Sequence, residues 1–100
     1  LKFAEALAVR LLRESDSEDL GPLIQRAYVA TFSRMPEEQE LTMATEFISQ
    51  QQQLIATQKK DGKEVKPING LPKSADPIKA MAIVDFCHVL LNANEFLYIE

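Results

Sequence analysis

The stretch that most constrains this chain lies near its C-terminal end. After Asp76-Pro77, the residues Ile78, Ala80, Met81, Ile83, Val84, Phe86, Cys87, Val89, Leu90 and Leu91 put apolar side chains on most sides of a helix. Such a helix persists in water only when other elements surround it, so 77–92 predicts a central, buried helix around which the rest packs. Asp76 suits the N-cap and Pro77 the first helical position, where a missing N–H costs nothing.

The preceding residues supply the surrounding elements. From Leu1 to about Glu14, Ala4, Leu7, Ala8, Leu11 and Leu12 recur at three- and four-residue spacing, the pattern of an amphipathic helix. The cluster Ser15 to Asp19 combines capping side chains with negative charge and opens a second helix that admits Pro22 in its first turn. That helix runs to about Phe32, with Leu20, Leu23, Ile24, Ala27, Tyr28, Thr31 and Phe32 on its buried stripe. Ser33 to Pro36 interrupts the pattern, and Glu37, Glu38 and Glu40 then place carboxylates at the positive end of a third helix. Leu41, Ala44, Phe47, Ile48, Leu54 and Ile55 form its apolar face, while Gln50 to Gln53 read as solvated polar surface.

Between Gln58 and Ala75, Gly62, Pro67, Gly70 and Pro72 punctuate a lysine-bearing stretch without helical period, which predicts the one long loop. At the other boundary of the last helix, Asn92 and Asn94 leave helical geometry cheaply, so the chain is expected to turn there and pack Phe96, Leu97, Tyr98 and Ile99 back on the core. The fold class is therefore all-α: four main helices in a small bundle or an orthogonal helical-hairpin arrangement, with a packed C-terminal turn or short helix. Residues 1–100 suit a single helical domain, read as the C-terminal fragment of a longer multidomain protein because the chain starts without Met and already in helical pattern.

Charge and residue types exclude several functions. Eleven Lys and Arg against 15 Asp and Glu give a net charge of -4, the wrong sign for nucleic acid or an anionic membrane surface. A helix-turn-helix reading of the second and third helices would bring Glu37, Glu38 and Glu40 to the phosphates, and the loop lysines are interleaved with Asp61, Glu64 and Asp76. The longest unbroken apolar run, Ala80 to Val84, is far shorter than the roughly 20 residues that span a bilayer, so no membrane insertion is expected. The single cysteine rules out an internal disulfide and a Cys-x-x-Cys-His haem attachment, and three scattered glycines make no phosphate loop. No cofactor is expected within this domain.

One constellation remains. Asp85, His88, Asn92 and Glu95 are spaced by three, four and three residues and share a polar stripe on the otherwise apolar fourth helix. An imidazole oriented by a carboxylate is a proton-transfer or metal-ligand arrangement, although a buried helix also needs one wetted rim of this kind. Cys87 and His88 are sequence neighbours about 100° apart on a helix, so they diverge, and Cys87 reads as a core thiol. No catalytic, cofactor-binding or metal-ligating residue is assigned.

Two segments carry a resemblance: Thr31-Phe-Ser-Arg-Met-Pro-Glu-Glu-Gln-Glu-Leu41 and Asp85-Phe-Cys-His-Val-Leu-Leu-Asn-Ala-Asn-Glu-Phe-Leu-Tyr-Ile-Glu100. They resemble the C-terminal end of a planctomycete domain of unknown function, found in large bacterial proteins that often also carry a cytochrome-c-type haem domain. The resemblance makes Asn92, Asn94, Glu95, Phe96 and Tyr98 signature residues, and it implies an exported or envelope-associated parent with haem elsewhere in it. No catalytic role comes with it. The expected function is a non-catalytic helical packing or interaction module whose partners are other domains of the parent chain or a separate protein, with a homodimer open. The alternative is an enzyme or redox-partner site of the parent to which Asp85, His88 and Glu95 contribute.

Overall fold

The structure is a computed structural model that describes residues 2–14, 19–64, 68, 70, 71 and 75–99, with the backbone alone at 2 and 94–99. Four helices follow one another: α1 (Lys2–Glu14), α2 (Leu20–Phe32), α3 (Glu38–Lys60) and α4 (Pro77–Ile99). There is no strand among the described residues. Helix α4 packs against α1, α2 and α3, with its largest faces toward α3 and α1. It is the central helix that its apolar circumference predicts. The Cα radius of gyration of 13.4 Å matches the value of about 13 Å for one compact body of 100 residues.

Local chemistry explains the starts of α2, α3 and α4. Asp19 accepts a hydrogen bond from the Gly21 N–H at 3.2 Å, which caps α2. Before α3, Glu40 turns back so that its Oε1 accepts from the Glu37 N–H at 2.8 Å, the reciprocal half of a capping box. Pro36 thus precedes the cap, and the helix begins two residues beyond it. Asp76 Oδ1 accepts from the Ile78 N–H at 3.0 Å and caps α4 as the Asp-Pro pair predicts.

All four helices contribute to the core. Leu11 of α1, Ile24 of α2, Ile48 of α3 and Ile83, Val84 and Cys87 of α4 are fully buried. Truncating one of the larger aliphatic side chains to alanine is worth about 2–5 kcal/mol at such sites. The long connection before α4 is tied to α1 at Gly70, whose carbonyl accepts from Arg13 Nε at 2.9 Å. Gly70 has φ of +89°, and a Cβ there would stand 3.3 Å from Arg13 Nη2 and 3.4 Å from Val9 Cγ1, so only glycine crosses α1 this closely without strain.

Two expectations are corrected. Helix α4 does not stop at Asn92 and Asn94 but runs through Ile99, giving 23 helical residues. Asparagine in a helix interior costs only about 0.7 kcal/mol relative to alanine, and with neither Gly nor Pro between 92 and 99 nothing compels a turn. The expected packing of the Phe96 and Tyr98 side chains lies outside the described residues. Leu54, placed on the apolar face of α3, is instead 50% exposed. Ala44, Ile48 and Ile55 are buried and define the true stripe, on which the residue between Ile48 and Ile55 is Gln51. No described helix is long and apolar enough to cross a membrane.

Candidate functional site

The stripe predicted on α4 is only partly assembled. Asp85 and His88 are half-buried and Asn92 is exposed, while the side chains of Glu95, Asn94, Phe96 and Tyr98 lie outside the described residues. Asp85 is held from α3 and not by His88: Gln51 Nε2 donates to Asp85 Oδ2 at 2.9 Å. Among the described residues no hydrogen bond joins Asp85 to His88, so the carboxylate does not orient the imidazole. Gln51 was hidden in the sequence by the run Gln50 to Gln53. Ala44, Ile48 and Ile55 are spaced by four and seven residues, which leaves positions 51 and 52 to fill the gap, and at about 100° per residue 51 falls nearer their line.

Asp85 also borders a small cleft of about 210 Å³ between α3 and α4, floored by Ile55 and Met81 and rimmed by Lys59 and Lys63. Next to Asp85 along the helix, Cys87 is buried, and burial pushes its thiol up to about 12. A thiol so far from ionisation is a poor nucleophile and packs as a small apolar group. No three His, Cys, Asp or Glu side chains converge among the described residues.

The larger surface feature lies elsewhere. An open groove of about 750 Å³ runs between α1 and α2, floored by Leu7, Leu11, Pro22, Val29, Ala30 and Met35 and walled by Arg10, Glu14, Gln25 and Arg26. Val29 is 49% and Met35 54% exposed. Amphipathic helices usually turn polar residues to water, so Val29 departs from the pattern of the rest of α2, and Met35, in the connection after α2, adds a second large apolar side chain to the same groove.

The end of the groove at Met35 is braced. Arg34 makes a two-pronged ion pair with Glu40, Nη1 to Oε1 at 2.7 Å and Nη2 to Oε2 at 2.8 Å, and its Nη1 also donates to the Met35 carbonyl at 3.1 Å. The same guanidinium lies 5.5 Å from the Tyr28 ring centre and 5.6 Å from that of Phe32, rings that themselves meet at 5.4 Å. One arginine thus joins the end of α2, the connecting turn and the start of α3. The hydrogen bond from Arg34, supported by the Glu37 N–H, holds the Glu40 carboxyl at about 2. On the opposite wall, Arg26 donates to the Glu14 carbonyl at the end of α1, while Arg10 and Glu14 face each other at 3.5 Å in an exposed pair.

Compared with family models, curated proteins and solved structures, the chain matches none.

Proposed function

We propose that this chain is a non-catalytic helical packing and interaction module of a larger multidomain protein, and that the α1–α2 groove is the surface through which it docks. The observation that carries the reading is the pairing of exposed Val29 and Met35 over an apolar floor, at a place where Arg34 bonds the Met35 carbonyl. Apolar surface kept in water at a concave site is the usual mark of a protein contact. The likeness to the planctomycete domain agrees with this reading: the parent would be an exported protein, its haem would lie in another domain, and this chain would contribute contacts.

Val29→Ser together with Met35→Ser tests the proposal in the parent protein. Both positions are half-exposed, so stability of the 100-residue chain should change by no more than about 1 kcal/mol. Association with the neighbouring domain or partner, followed by co-purification and by limited proteolysis of the parent, should be lost. Retained association at unchanged stability would refute the docking role.

A further inference from the structure

We infer that the occupant of the α1–α2 groove is an amphipathic helix, engaged over about two turns, whose apolar ridge is flanked by carboxylates. The inference rests on the docking reading above and names the partner's chemistry.

The shape argues for a helix. From Leu7 to Glu14 α1 advances about 10 Å, and from Pro22 to Ala30 α2 advances about 12 Å, at 1.5 Å per residue. That length matches two turns of a third helix, which presents apolar side chains at positions i, i+4 and i+7. The groove is concave, so it fits a ridge better than the flat surface of a bilayer. Met35 at one end is unbranched and adapts to differently shaped partners.

The charge argues for carboxylates. The chain as a whole carries -4, yet among the described residues the groove lining holds two arginines, Arg10 from α1 and Arg26 from α2, against one acid, Glu14. Glu14 is answered only loosely by Arg10, at 3.5 Å between largely exposed side chains, and Arg26 uses one guanidinium nitrogen on the Glu14 carbonyl and keeps further donors for a ligand. Both guanidinium groups lie at Glu14, so carboxylates at that end of an incoming helix would meet them, whereas lysines there would be repelled by both.

Fluorescence polarisation with a labelled model peptide of about 15 residues, the length at which an isolated helix becomes marginally stable, tests the inference. The peptide carries three leucines at i, i+4 and i+7 with glutamates on either side. Two controls replace those glutamates by lysines or those leucines by glutamines. Two exposed ion pairs predict that the glutamate peptide binds at least about threefold more tightly than the lysine peptide. Added salt should narrow the difference, and Arg10→Glu with Arg26→Glu should reverse it while the helical circular dichroism signal stays unchanged. Equal binding of the two charged peptides would overturn the acidic partner and leave the docking reading intact. Binding that survives loss of the leucines would overturn both. No binding of any peptide, or sedimentation with phosphatidylserine vesicles in its place, would overturn the inference, and the Val29 and Met35 variants would then judge the docking reading separately.

Discussion

Gln51 and Asp85 meet at 2.9 Å between the middles of α3 and α4, where the apolar stripe of α3 would otherwise place a fourth hydrophobic residue. A half-buried amide bonded to a carboxylate is a directional contact inside a non-directional interface. It fixes how far α3 slides along α4, which leucine at position 51 would not do.

That contact has a measurable energy. A hydrogen bond to a charged group is worth about 1.5–3 kcal/mol, and partial exposure of this pair brings the coupling below that range. A double-mutant cycle of Gln51→Ala and Asp85→Ala in urea should return about 1 kcal/mol of interaction. Asp85→Asn should cost less than Asp85→Ala because an amide oxygen still accepts from Gln51. Additive single losses would mean that the contact contributes nothing to stability.

The Arg34–Glu40 pair makes stability depend on acid. Glu40 sits at about 2 in the fold against 4.5 when free, so its contribution is fully present above pH 4.5 and is lost as pH falls from there toward 2. The carboxylate side chain is 31% exposed and the guanidinium 47%, so solvent screening reduces the benefit to about 1 kcal/mol. Glu40→Gln should lower stability by about that amount near neutrality, and the two urea midpoints should converge toward pH 2. Parallel curves throughout would show that the pair is not linked to folding.

Ser33 ends α2 with φ 59° and ψ 29°, and its N–H bonds the Val29 carbonyl at 3.0 Å. This left-handed geometry costs an L-residue about 1–2 kcal/mol, and glycine avoids most of that while keeping the same bond. Allowing for glycine's greater freedom in the unfolded chain, Ser33→Gly should raise stability by about 0.5–1 kcal/mol in thermal or urea unfolding. Ser33→Val should do the reverse. A destabilising glycine would mean that the serine hydroxyl has a role beyond the backbone turn.

Much of the fold was legible because helix period and cap chemistry are local. Asp76-Pro77 marks the start of α4 unaided, and the residues of α1 and α2 read as apolar line its buried or half-buried faces. Leu54 and Gln51 show where local reading ends: hydrophobicity alone assigns Leu54 to the core, but the face a helix buries is chosen by its neighbours, and α4 offers Asp85 to position 51. Asn92 and Asn94 show the second reason. Their preference for turns is weaker than the continuity of a helix with no Gly or Pro ahead of it. The α1–α2 groove depends on how two helices diverge, a tertiary property that no single stripe encodes.

Cys87 offers the most direct probe of the core, because its sulfur reports opening without a label. Burial among α4's packed residues raises its thiol from 9 to about 12, so near pH 8 the thiolate fraction falls about a thousandfold below that of an ordinary thiol. Reaction with a disulfide reagent should be slower than in urea by at least that factor, and its rate should follow unfolding across a denaturant series. Cys87→Ser should destabilise more than Cys87→Ala, since it places a hydroxyl in an apolar site. Rapid reaction of the native chain, with no dependence on denaturant, would mean that α4 is open at its centre and does not pack as the central helix.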